Sequence, residues 1–149
     1  MDNMVIGGTT AKAGTFTTLT ATTSNQTNET ISGNLTLSGG TANGVLYLNG
    51  SNVATSGSAL VFDGSNLGLG VTPSAWTNYT AMQIGRGALW SVGDTLNISA
   101  NLYYGSGRKY INNGYAAEYE IASGQHQWYN APSGTAGGAV TLTQAMTLN

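Results

Sequence analysis

The opening 44 residues carry seven large aliphatic or aromatic side chains: Val5, Ile6, Phe16, Leu19, Ile31, Leu35 and Leu37. Ordering a chain costs conformational entropy at every residue, and burial of apolar side chains is the main return. With roughly one such side chain in six residues, a lone copy of this segment is not expected to fold. It is either a linker, or a set of strands from several chains that bury one another's single apolar rows. Ile31, Leu35 and Leu37 alternate with Ser32, Asn34, Thr36 and Ser38, the period of two of a half-buried strand. GTFTTLTATT (14–23) is a second extended stretch of the same polar, β-branched character. A linker has no use for strict alternation, so assembly is the expectation, with Phe16, Leu19, Ile31, Leu35 and Leu37 in contact between chains.

An octet written twice follows the same logic. LYLNGSNV (46–53) and LVFDGSNL (60–67) share Leu46/Leu60, Gly50/Gly64, Ser51/Ser65 and Asn52/Asn66. Asn49-Gly50 and Asp63-Gly64 stand between apolar arms, the strongest short-range hairpin signal, because both central residues of the favoured two-residue turn need φ > 0. Arms this short make hairpins too small to stand alone, so the repeat reads as one structural unit laid down in successive layers. In NLGLGVTP (66–73), Leu67, Leu69 and Val71 alternate with Gly68 and Gly70. Glycine in a strand marks a bulge or a close backbone approach, and a crowded axis between chains would fit, with Leu67 and Leu69 as further inter-chain contacts.

From residue 80 the pattern is that of an ordinary small β domain. Leu96, Ile98, Ala100 and Leu102 alternate with Asn97, Ser99 and Asn101, and Tyr115, Ala117, Tyr119 and Ile121 alternate with Ala116, Glu118 and Glu120. On the usual rule the apolar sets face the core. GSG (105–107), NNG (112–114) and SG (123–124) fall at hairpin spacing, and HQWY (126–129), AVTLT (139–143) and AMTLN (145–149) read as further strands. The expectation is an all-β chain without confident helix: an extended β shaft over 1–44, a repeated hairpin segment over 45–75, and a small antiparallel meander or sandwich over 76–149. The last strand reaches Asn149 without a turn or cap, which suggests a polypeptide that continues.

Composition narrows the function. Only 7% of residues are charged, the net charge is −2 and there is no cysteine. Lys12, Arg86, Arg108 and Lys109 are too few basic residues to neutralise a run of phosphates, which sets nucleic acid aside. No apolar run approaches the about 20 residues that cross a bilayer, so membrane insertion is not expected. Cysteine-based staples and thiolate metal sites are excluded.

With these residues in view, the chain resembles bacteriophage tail-fibre proteins of the long-shaft type. DNMVIGGTTAKAGTFTTLTAT (2–22) is similar to their recurrent shaft motif, ALVFDGSNLGLGVTPSA (59–75) to their FDG-x-NLGIGTTSP element, and YNAPSGTAGGAVTLTQAMTLN (129–149) to the stretch that in such fibres often precedes another copy or an intramolecular chaperone domain. Lys12 stands where proline or alanine is usual. The resemblance implies a parallel homotrimer with an interwoven β shaft and a globular knob, located in the virion, partnered by other tail proteins and serving attachment to host cell-surface polysaccharide without enzymatic activity or cofactor. The trimeric number comes from the resemblance alone. A head or collar fibre, or a segment of a glycan-degrading tailspike, is the alternative.

Catalysis needs a constellation, and few parts are present. His126 is the sole histidine and reads as a strand residue beside Trp128. No serine sits in a nucleophile elbow. Glu118 and Glu120 are two apart on a strand, about 7 Å from each other, near the spacing of glycosidase carboxylates, but neighbours on one strand are expected side by side in water. DGSN (63–66) lacks the spaced carboxylates of a calcium loop. Twelve of the thirteen aromatic residues follow residue 44, and aromatic faces stack on sugars. Tyr115 and Tyr119 are expected in the core with Ile121. Tyr103, on the polar side of its strand, and Arg108 with Tyr110, at the paired basic residues, are the candidates for receptor contact.

Overall fold

The computed structural model describes residues 29–149. The chain divides into two units, Met1–Thr36 and Leu37–Asn149. In the first, the described residues 29–36 are exposed and hold no strand. In the single chain residues 31–38 form no strand, and Ile31, Leu35 and Leu37 are exposed. Phe16, Leu19 and the stretch 14–23 lie outside the described residues.

The described residues are all-β, and none forms a helix. A hairpin of β1 (Tyr47–Leu48) and β2 (Ala54–Thr55) comes first. The body is one eight-stranded sheet built from β3 (Leu60–Phe62), β4 (Leu67–Leu69), β5 (Thr80–Ile84), β6 (Gly87–Val92), β7 (Thr95–Ala100), β10 (Gly114–Ala122), β11 (Gln125–Gly134) and β12 (Thr143–Leu148), in the order β12-β11-β10-β7-β6-β5-β4-β3. All neighbours are antiparallel except the parallel pair β4 and β5. Between β7 and β10 the chain leaves the sheet as the hairpin β8 (Leu102–Gly105) and β9 (Gly107–Tyr110). The meander is present, as a single broad sheet rather than a sandwich, and it takes in the second copy of the octet.

Both octets form hairpins, but not through two-residue turns. Asn49 Oδ1 accepts the backbone N–H of Ser51 at 2.9 Å and of Val53 at 3.1 Å. Asp63 Oδ1 accepts those of Ser65 at 2.9 Å and Asn66 at 2.7 Å. The shared side-chain oxygen thus closes a wider loop, an Asx turn, and the left-handed residue is Asn52 in one copy and Gly64 in the other. The copies lie in different sheets. At Gly68 the crowding is internal: a Cβ there would stand 2.0 Å from the Val71 carbonyl oxygen and 2.8 Å from Pro73 Cδ, so the chain's own return makes a close approach.

The faces of the sheet are the reverse of the expectation. Asn97 is 1% exposed and Ser99 is buried, whereas Ile98 is 53% exposed and Leu96 is exposed. On β10, Ala116 and Glu118 are buried while Tyr115 is 77% exposed. The buried face, called inner here, is covered by loops and the β8–β9 hairpin rather than by a second sheet. Loops present backbone N–H and C=O groups, so polar side chains beneath them find partners. Gln83 Oε1 accepts from Ser74 N at 2.8 Å and Trp76 Nε1 at 3.3 Å, and its Nε2 donates to the Gly85 carbonyl at 2.9 Å. Trp90 Nε1 donates to Ser99 Oγ at 3.0 Å, which donates to the Leu102 carbonyl at 3.1 Å. Among the described residues no buried side-chain polar atom lacks a partner, as a low-dielectric interior requires. Between and above these groups pack Trp76, Ala81, Ala88, Trp90, Leu102, Tyr110, Ala116 and Ala131.

Asn101 explains how the hairpin reaches its place. Its φ of 57° turns the chain out of β7, so Leu102 falls out of phase with Leu96 and Ile98 and becomes fully buried. The Asn101 amide then ties the exit to the return: Nδ2 donates to the carbonyls of Asn112 at 2.9 Å and Tyr115 at 3.0 Å, and Oδ1 accepts from Asn112 N at 2.8 Å.

Candidate functional site

The hairpin lays Arg108 onto the inner face above Asn97, Glu118 and Glu120, which neighbour one another on β7 and β10. Arg108 Nε donates to Glu118 Oε2 at 2.8 Å and Nη2 to Glu118 Oε1 at 2.6 Å, with a further bond from Nη2 to Glu120 Oε2 at 3.2 Å. Asn97, with its amide nitrogen facing the two acids, donates to Glu118 Oε1 at 3.1 Å and Glu120 Oε2 at 3.0 Å. The guanidinium carbon lies 5.9 Å from the centre of the Trp90 ring, within cation–π range. Glu118 has a fully buried side chain, whereas Arg108 and Glu120 keep part of theirs in solvent. The two glutamates do face the same way, but they are not a solvated pair.

These groups border a cleft of about 510 Å³ whose walls include Tyr79, Trp90, Thr95, Tyr129, Val140 and Leu142. Its volume falls in the range of small-molecule sites, about 300–1,000 Å³. Tyr79 packs edge-on against Trp90 with ring centres 4.8 Å apart and lies 4.4 Å from Tyr104. Burial, then the repulsion of Glu118, holds the Glu120 carboxyl above its ordinary value despite Arg108. The hydrogen bond to Glu118, outweighing burial, raises the Arg108 guanidinium still further. Burial likewise raises the phenols of Tyr79 and Tyr129.

Of the expected contact residues, Arg108 borders the cleft. Tyr103 is half-buried, its ring edge-on to Trp76 at 6.1 Å. Tyr110 is 4% exposed and its hydroxyl donates to the Pro132 carbonyl at 2.6 Å, so its ring belongs to the core and is not offered to a ligand. Tyr115 and Tyr119 are not core residues. Tyr119 lies on the outer face, half-buried, beside Trp128 and hydrogen-bonded to His126 Nδ1. A glycosidase pair must flank the scissile bond. Here both acids converge on one guanidinium nitrogen and one amide, which occupy the space where a sugar would lie.

The sequence gives no pointer to Asn97, and Tyr79 and Tyr129 stand in it among the aromatic residues suited to sugars without being singled out. One signal was available: two acids at a spacing of two, in a chain with four basic residues, need a local cation, and Arg108 is ten residues from Glu118.

The outer face is the second feature. One row crosses all eight strands: Phe62, Leu67, Met82, Leu89, Ile98, Tyr119, Trp128 and Met146 are successive cross-strand partners. Leu69, Ile84, Leu96, Ile121 and Leu148 flank it, and none of these thirteen residues is charged. Leu69, named as an inter-chain contact, is exposed here and Leu67 half-exposed.

No protein-family model matches the chain, and no curated protein or solved structure is significantly similar to it.

Proposed function

We propose that the chain is a segment of a homotrimeric bacteriophage tail fibre, a non-enzymatic virion component that attaches the particle to host cell-surface glycan. The observation that carries this reading is the uncharged apolar row across the outer face. The thirteen residues, at about 4.8 Å between strands and about 7 Å between same-face neighbours on a strand, cover roughly 400 Å². That is about half of the roughly 800 Å² each partner gives a standard interface, and it lies in the range, about 300–600 Å², of the largest apolar patch on a typical monomer, which is often a functional contact surface. Two shallow depressions, one beside Phe62, Leu67 and Leu89 and the other beside Ile98, Tyr119 and Trp128, give a sister chain side-chain-sized sockets. Three copies per fibre and several fibres per particle turn weak contacts into firm attachment by raising effective concentration.

Sedimentation equilibrium tests it. The expected mass is three times the 15.2 kDa of one chain, falling to one chain in the double variant Leu89→Glu, Ile98→Glu. A parent protein that stays monomeric at tens of micromolar overturns the reading.

A further inference from the structure

The inner-face cleft carries an unbalanced charge. Glu118 is saturated: Arg108 bonds both its oxygens and Asn97 bonds one of them again. Glu120 is not. Its Oε2 shares the Arg108 Nη2 and the Asn97 amide, and its Oε1 accepts no hydrogen bond among the described residues. Two carboxylates against one guanidinium leave the cleft one negative charge in excess. The glutamate that carries this excess is the one that borders the opening. Burial first and the repulsion of Glu118 second raise its pKa, and the second of these is the charge imbalance that a further cation would relieve.

The surroundings narrow which cation. Tyr79 and Tyr129 supply ring surface, Val140 and Leu142 apolar wall, and Thr95 and Arg108 hydrogen-bonding groups, with Trp90 and Asn97 buried beneath them. A pyranose ring has the matching features, C–H faces for the aromatics and hydroxyls for the polar groups. A simple alkylamine or a polyamine would leave the polar groups unmatched, at a cost for each one desolvated.

We propose that this cleft binds an amino sugar with a free, protonated amine, the ammonium paired with Glu120 Oε1 and the sugar ring held beside Tyr79 and Tyr129. The cleft opens on the side of the sheet opposite the apolar row, so assembly through the outer face leaves it free. The inference deepens the attachment reading by naming a ligand class, and rests on that reading only for where the sugar is displayed.

The test uses the full chain and three soluble probes, D-glucosamine, N-acetyl-D-glucosamine and D-glucose, with binding read by saturation-transfer NMR and calorimetry at pH 6.5. Glucosamine is expected to bind at least about tenfold more tightly than the other two, since a hydrogen bond between charged groups contributes more than the 1.4 kcal/mol that a factor of ten represents. Glu120→Gln should abolish that preference while leaving the circular dichroism spectrum unchanged, and Val140→Trp, which fills the cleft, should abolish binding altogether. Equal affinity for glucosamine and its N-acetyl form, no binding of glucosamine at 50-fold the protein concentration and above into the millimolar range, or methylamine binding as well as glucosamine each overturns the proposal. None of these outcomes depends on the sedimentation result, so the amine site and the trimeric fibre can fail separately.

Discussion

Arg108 and Glu118 form a two-pronged ion pair, 2.6 and 2.8 Å, between a hairpin folded over the sheet and a strand within it. The pair joins elements that no backbone ladder joins, and Glu118 has no solvent to fall back on. Replacing Arg108 by Met leaves a buried carboxylate without its cation. The expected loss is about 3 kcal/mol at pH 7, the lower end for breaking a buried pair because the arginine itself is partly exposed. At pH 4, below the raised pKa of Glu120, that acid is protonated and the loss should shrink. Urea midpoints at the two pH values measure both, and a loss under about 1 kcal/mol at pH 7 contradicts the assignment.

Glu120 sets a slope of opposite sign from most carboxylates. Its pKa is raised above the ordinary 4.5, by burial first and Glu118 second, against the pull of Arg108. The folded state therefore holds its proton where the unfolded state has released it, so this contribution is present below 4.5 and is lost as pH rises through the folded value. Asp63 behaves conversely: burial lifts it, but the N–H groups of Asn66 and Ser65 and the Asn66 amide outweigh that and bring it below 3.8. Its contribution is lost only as pH falls through that lowered value. In Glu120→Gln the decline in thermal midpoint above pH 4.5 should flatten, while the acid limb below pH 3.8 persists.

Gly68 has no room for a methyl group, since a Cβ would meet the Val71 carbonyl at 2.0 Å. Backbone cannot move aside as a side chain does. Gly68→Ala should cost about 3 kcal/mol or more, at or beyond the upper end of overpacking effects. Gly50 occupies open space, and Gly50→Ala should change stability by less than about 0.5 kcal/mol. Equal midpoints for the two variants would remove the close approach from the account.

The two roles of Asn101 separate experimentally. Gly in its place keeps the left-handed φ of 57° and loses the three amide bonds, whereas Ala loses the bonds and adds the backbone strain. Asn101→Ala should be less stable than Asn101→Gly by about 1–2 kcal/mol, offset in part by the greater chain entropy of glycine. Hydrogen exchange at Asn112, whose N–H the amide holds, should speed up in both.

Much of the chain's layout could be read from its residues. The alternations at 96–100 and 115–121, the hairpins at both octets and the strands at 126–129 and 145–148 are all where the periods of two and the turn residues put them. Which face is buried could not be read, because alternation is the same pattern seen from either side. Transfer free energy favours the apolar side, and Asn97, Ser99 and Glu118 defeat it because each finds polar partners: Asn97 the Glu118 and Glu120 carboxylates, Ser99 the Trp90 indole N–H and the Leu102 carbonyl, Glu118 the Arg108 guanidinium. Those partners come from β10, β6 and the β8–β9 hairpin, contacts that only the folded chain creates. Tyr110 was misplaced for the same reason, since its hydroxyl bonds a carbonyl 22 residues away.

The polar inner face also selects among the ways the strands could be slid along one another. Oily contacts are nearly indifferent to a two-residue slip, which brings the same side of each strand back into place. A slip of that size between β7 and β10 would pull Asn97 away from the two glutamates, and one between β6 and β7 would part Trp90 from Ser99, leaving dry polar atoms behind. The hydrogen bonds inside this sheet thus work as an index, rejecting the near-misses that an interior of leucine would forgive.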